Sequence, residues 1–113
     1  MVFISHDLTA VERIAHRTAV MYMGRIVERA ETTRLMSSPL HPYTQALLSS
    51  VLSSDPGARK TRTRLAGELP SAIEPIAGCP FASRCPEARG ICREAAPRLE
   101  AKQVDHEVAC HLR

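Results

Sequence analysis

Cys79, Cys85, Cys92 and Cys110 all fall in the last third of the chain, within GCPFASRCPEARGICREAAPRLEAKQVDHEVAC. Their spacing, Cys-x5-Cys-x6-Cys-x17-Cys, offers four soft thiolate donors, the number that closes a tetrahedral zinc site or the four corners of an iron–sulfur cluster. The segment around them has little apolar surface beyond Phe81, Ile91 and Leu99, so its folding is expected to depend on what the cysteines hold. Two disulfides would also order it. They need an oxidising compartment, however, and the opening MVFISHDLTAVERI does not read as a secretory signal. Structural zinc favours paired ligands roughly two to four residues apart, whereas five and six residues separate the first three cysteines here.

The apolar residues are unevenly spread. Residues 1–52 are rich in them, whereas 53–86 are dominated by Pro, Gly, Ser and charge, so the 113 residues are expected to hold less than one full core and an appendage. A net charge of +3 is mild, and the basic run Arg59, Lys60, Arg62, Arg64 has no aromatic side chains on which bases could stack. It reads as a solvated linker, and no nucleic-acid partner is expected. No apolar run approaches the roughly 18–20 residues that span a bilayer.

Val2-Phe3-Ile4-Ser5 has the look of a short buried parallel strand ending at His6-Asp7, and Asp7 can cap a helix with Leu8, Val11, Ile14 and Ala15 at helical spacing. Thr18–Met23 reads as a second strand, Gly24 as a turn, and Arg25–Glu28 as the hairpin partner. Thr32 or Thr33 opens a short helix through Leu35 and Met36, stopped by Ser38-Pro39. Pro42 suits the first position of another helix, Pro42–Leu52, with Ala46, Leu47 and Val51 on one face. From Ser53 to about Pro75 the chain turns polar and irregular. A buried parallel strand needs neighbours on both sides, which this chain does not offer. The expectation is a C-terminal piece of something larger, with Met1 an internal start or a truncation.

Three motifs in order carry a family resemblance. Phe3-Ile4-Ser5-His6-Asp7-Leu8, followed by Ala15–Glu28, resembles the switch-histidine region of ABC transporter nucleotide-binding subunits. Pro39-Leu40-His41-Pro42-Tyr43-Thr44-Gln45-Ala46-Leu47-Leu48 resembles the extension of the oligopeptide and dipeptide branch of that family. Gly78-Cys79-Pro80-Phe81, Arg84-Cys85-Pro86, Cys92 and Val108–Leu112 are similar to its cysteine motif. The resemblance implies an α/β chain: residues 1–36 as the end of a P-loop ABC ATPase domain (strand, helix, strand and hairpin), and 37–113 as helices and a loop-rich extension. That extension would comprise the helix 42–52, a linker 53–75 and the cysteine motif 78–111.

By the same resemblance His6 would be the switch histidine that contacts the γ-phosphate of ATP and helps place the attacking water. Asp7 beside it is expected to cap rather than to catalyse. Cys79, Cys85, Cys92 and Cys110 would hold a four-iron four-sulfur cluster, with zinc as the alternative; His106 and His111 are expected to stand by, since four cysteines satisfy the count. His41, Pro42 and Tyr43 either set the start of a helix or touch another subunit, and His16 is expected to end a helix. The complete subunit would use ATP and magnesium to drive import of peptides. Its partners would be a second nucleotide-binding subunit, transmembrane permease subunits and, indirectly, a peptide-binding protein, with the subunit cytoplasmic and peripheral on the inner face of the membrane. The chain itself has no G-x-x-x-x-G-K-[ST] loop, no magnesium-binding Asp followed by a catalytic Glu, and no signature loop. Alone, it is expected to be inactive as an ATPase. The competing reading is a stand-alone cysteine-ligated iron–sulfur or zinc module, with residues 1–52 as scaffold.

Overall fold

Met23 (φ 49°) and Gly24 (φ 74°) both adopt the left-handed backbone conformation, which gives a two-residue turn whose twist suits antiparallel strands. The computed structural model describes residues 1–52 and 75–113. On either side of the turn, β1 (Arg17–Tyr22) and β2 (Arg25–Glu31) pair from Arg17↔Glu31 to Tyr22↔Arg25. A bulge interrupts the register: Val20 opposes Glu28 and Met21 opposes Ile26, which leaves Val27 as the extra residue. The bulge breaks the in–out alternation, so Val27 and Glu28 are both buried although adjacent.

Ahead of the hairpin lies α1 (Leu8–Ile14). Asp7 caps it as expected, its Oδ1 accepting from the backbone N–H groups of Thr9 (3.0 Å) and Ala10 (3.2 Å). After the hairpin come α2 (Thr32–Ser37) and α3 (Pro42–Leu52), both where helix propensity and proline chemistry put them. Of the expected apolar face of α3, Ala46 is buried and Leu47 packs against the core, but Val51 is exposed; Thr44 and Leu48 are buried instead. The linker expected over 53–75, with Arg59, Lys60, Arg62 and Arg64, lies outside the described residues apart from Pro75.

One expectation needs correction. Residues 2–5 form no strand: Val2 is 90% and Ile4 93% exposed, because no described segment lies alongside to accept their hydrogen bonds. Among the loops of the extension stand three short elements, α4 (Gly90–Glu94), β3 (Glu100–Gln103) and β4 (His106–Val108). These two strands complete an antiparallel sheet of order β1-β2-β4-β3. β4 pairs with β2 through Glu28↔Val108, Arg29↔Glu107 and Ala30↔His106, and Ala109 N–H donates to the Val27 carbonyl at 2.8 Å. The small α/β fold is therefore one sheet built from both ends of the chain.

The core sits on one side of this sheet. Val20, Tyr22, Val27, Ala30 and Leu35 gather around Phe81, which is 1% exposed. Tyr22 meets Phe81 edge-on at 5.4 Å, Tyr43 lies 5.5 Å from the same ring, and the two tyrosines are 4.6 Å apart. Each such aromatic pair adds about 0.5–1.5 kcal/mol beyond the area it buries. With only two phenylalanines and two tyrosines in the chain, a single aromatic cluster ties the hairpin, α3 and the cysteine motif together.

Candidate functional site

Short turns bring the cysteines together. Ala82 N–H donates to the Cys79 carbonyl (3.0 Å), Arg84 to Phe81 (3.0 Å) and Ala88 to Cys85 (3.3 Å), so the Cys79–Ala88 stretch folds back on itself twice. Cys92 is carried on α4, and its carbonyl accepts from Cys79 N–H at 2.7 Å. Gly78 permits that approach: a Cβ there would fall inside van der Waals contact of the Cys92 and Arg93 backbone. Cys110 follows β4 and Ala109.

All four cysteines are free thiols, and all four line one small, mainly apolar cavity together with His41, Pro42 and Phe81. The cavity holds about 10 Å³, close to the space that one water needs. Burial pushes the Cys79 and Cys85 thiols above the ordinary range; backbone hydrogen bonds from Phe81 and Glu87 respectively oppose this, and the neighbouring cysteines reinforce it. Thiols in that state stay protonated until a cation compensates their charge. Among the described residues, no group of three or more His, Cys, Asp or Glu side chains stands in a geometry that could hold a metal ion. The four thiols are soft donors and share one cavity wall, but as closed they do not converge in a metal-holding geometry, and the cavity is too small to admit a cluster unless they move outward.

The histidines divide by environment. His6 is exposed on the bend before α1 and is not among the cavity-lining residues. His16 lies just past the end of α1, exposed, its carbonyl accepting from Thr32 N–H at 3.0 Å. His111 Nε2 is 2.7 Å from the Ala95 carbonyl. His41 is 1% exposed, its Nδ1 accepting from Tyr43 N–H at 3.0 Å and its ring 5.8 Å from Phe81. Burial lowers its pKa to about 4, helped by Arg113 and opposed by Glu28 and the Ala109 backbone. The His41-Pro42-Tyr43 turn therefore packs inward against the thiols.

Sequence reasoning missed Glu28, which it took only for a hairpin residue. Glu28 is 0% exposed and accepts from Leu40 N–H (2.7 Å), His41 N–H (3.0 Å) and His106 Nε2 (2.6 Å). His106, expected to stand by, is likewise 0% exposed. No local sequence signal marked Glu28, since the pairing arises only when β4 docks beside β2.

The hairpin, the His-Pro-Tyr turn and the four-cysteine motif thus share one core. The chain belongs to the family described as "Oligopeptide/dipeptide transporter, C-terminal region", whose model matches residues 27–92. It is 46% identical to the probable peptide ABC transporter ATP-binding protein y4tS of Sinorhizobium fredii, over 100% of this chain and 32% of that protein. It is 48% identical to the putative oligopeptide transport ATP-binding protein YkfD of Bacillus subtilis, over 97% of this chain and 34% of that one. The dipeptide transport ATP-binding protein DppF of Haemophilus influenzae is 49% identical over 96% of this chain and 33% of its own length. The chain spans about a third of the length of the curated relatives it matches.

Proposed function

We propose that this chain supplies the C-terminal region of the ATP-binding subunit of a peptide importer, acting in a larger assembly that couples ATP hydrolysis to import of oligopeptides or dipeptides. The observation that carries the reading is the match of residues 27–92 to the oligopeptide/dipeptide family, alongside relatives named as peptide ATP-binding proteins. In that assembly the exposed His6 contributes the switch imidazole at the γ-phosphate. ATP and magnesium are held by P-loop and acidic residues that this sequence does not contain. The partners are a second nucleotide-binding subunit and the membrane permeases, with a peptide-binding protein acting indirectly, and the subunit works at the cytoplasmic face of the membrane. Among the described residues no helix is long and apolar enough to cross a membrane, which suits a peripheral subunit.

Cys79, Cys85, Cys92 and Cys110 are the residues that would hold a four-iron four-sulfur cluster, and zinc is the alternative occupant. Bound there, a cluster supplies a cross-link among four chain segments and a one-electron couple. The chain's own contribution is to bring four cysteines from two turns, a helix and a strand end to the wall of one cavity that Phe81 and Pro42 also line.

Two measurements test the reading. The purified chain should turn over no ATP with magnesium present; a saturable rate abolished by His6→Ala would overturn it. Purified anaerobically, the chain should carry about four irons and four sulfides. Each single Cys→Ser change at positions 79, 85, 92 and 110 should lose most of the iron, and His111→Ala should keep it. Stoichiometric zinc without iron would favour the structural zinc site.

A further inference from the structure

We infer that the buried Glu28–His106 pair is a latch: the four-thiol cavity closes only while β4 is zipped onto β2, so that the cysteines and the His41-Pro42 turn are coupled through one carboxylate. The ladder between β2 and β4 is short, three opposed pairs plus the Ala109–Val27 bond. A strand pair of that length is marginal on its own, so side chains decide whether β4 stays docked.

Glu28 is placed to decide it. One oxygen accepts from Leu40 N–H and His106 Nε2, the other from His41 N–H. Its partners thus come from two separate segments, and each segment continues directly into the cavity wall. His41 and Pro42 line the cavity on one side, and Cys110, four residues beyond His106, lines it on the other. Breaking the carboxylate's contacts releases both walls together. The docked state also keeps a weak point, because His106 Nδ1 is buried with no hydrogen-bond partner among the described residues. A pair left partly unsatisfied in this way opens at lower cost than a fully satisfied one. The half-buried neighbouring pair, Arg29 Nε to Glu107 Oε2 at 2.5 Å, joins the same two strands but reaches no cavity residue.

The test needs no metal in its first arm. In the 113-residue chain free of metal, Glu28→Gln is expected to speed reaction of the thiols with a chromogenic disulfide reagent about tenfold or more, because it strands buried donors. Amide exchange should quicken with it at residues 106–109, Leu40 and His41, while the amides of β1 keep their wild-type rates. Arg29→Gln should leave the thiol rates within about twofold. Wild-type thiol rates in a folded Glu28→Gln chain, or equal acceleration in β1, would overturn the latch. Should that variant not fold, His106→Gln, which keeps an N–H for Glu28, is expected to give the same pattern at smaller amplitude, and wild-type rates there would overturn it. The second arm rests on the cluster reading above. Anaerobic addition of iron and sulfide should slow exchange at residues 106–109, Leu40 and His41, and should do so less in Glu28→Gln. If iron and sulfide bind but leave those amides unchanged, the coupling is refuted. If nothing binds while the first arm holds, the latch stands and the cluster reading falls.

Discussion

Acidification from pH 7 to pH 5 should weaken the fold through His41. In the folded chain burial lowers this imidazole to about 4, against an ordinary value of 6.5, with Arg113 adding to the effect and Glu28 and the Ala109 backbone opposing it. The folded value lies below the unfolded one, so protonation favours the unfolded chain. The stability contributed by the neutral ring is fully present above about pH 6.5 and is lost as pH falls towards about 4. Linkage between these two values gives a loss of about 2 kcal/mol between pH 7 and pH 5, with a ceiling of about 3 kcal/mol once titration is complete. Urea unfolding of the wild type and of His41→Asn, each at pH 7, 6 and 5, measures it. Asn can present an oxygen to Tyr43 N–H where Nδ1 sits, and it does not titrate, so the difference between the two curves isolates His41 from every other group. The wild type should lose about 2 kcal/mol more than the variant over this range. Parallel loss in the two proteins would refute the assignment of His41 as a buried neutral ring.

Phe81→Ala should cost about 3–5 kcal/mol, since it removes the ring that Tyr22, Tyr43 and His41 all pack against; thermal unfolding of the variant measures it. Gly78→Ala forces a methyl against the Cys92 and Arg93 backbone and should cost about 1–3 kcal/mol, with amide exchange at Cys79 rising as its bond to the Cys92 carbonyl is disturbed. Asp7→Ala removes both cap bonds of α1 and should cost about 1 kcal/mol, seen as lost helical signal over Leu8–Ile14 with the sheet unchanged.

Some of this architecture could be read from local chemistry alone. Asp7 before an apolar helical repeat, Gly24 between two strand-like runs and Pro42 at the first position of an eleven-residue helix each specify their own backbone geometry, and each element stands where it was expected. The four cysteines stood out by number and residue type, and the fold brings all four to the wall of one cavity. Other features depended on which segments meet. Val2–Ile4 has strand composition, yet it is exposed because a strand forms only against a partner. Glu100–Gln103 is exposed throughout and carries no apolar alternation, so its place at the sheet edge comes from pairing with β4 rather than from its own side chains. Glu28 and His106 lie 78 positions apart. Nothing in the local pattern of a charged strand residue or a lone histidine announces burial, and only the docking of β4 on β2 takes both out of water and turns them into each other's partner.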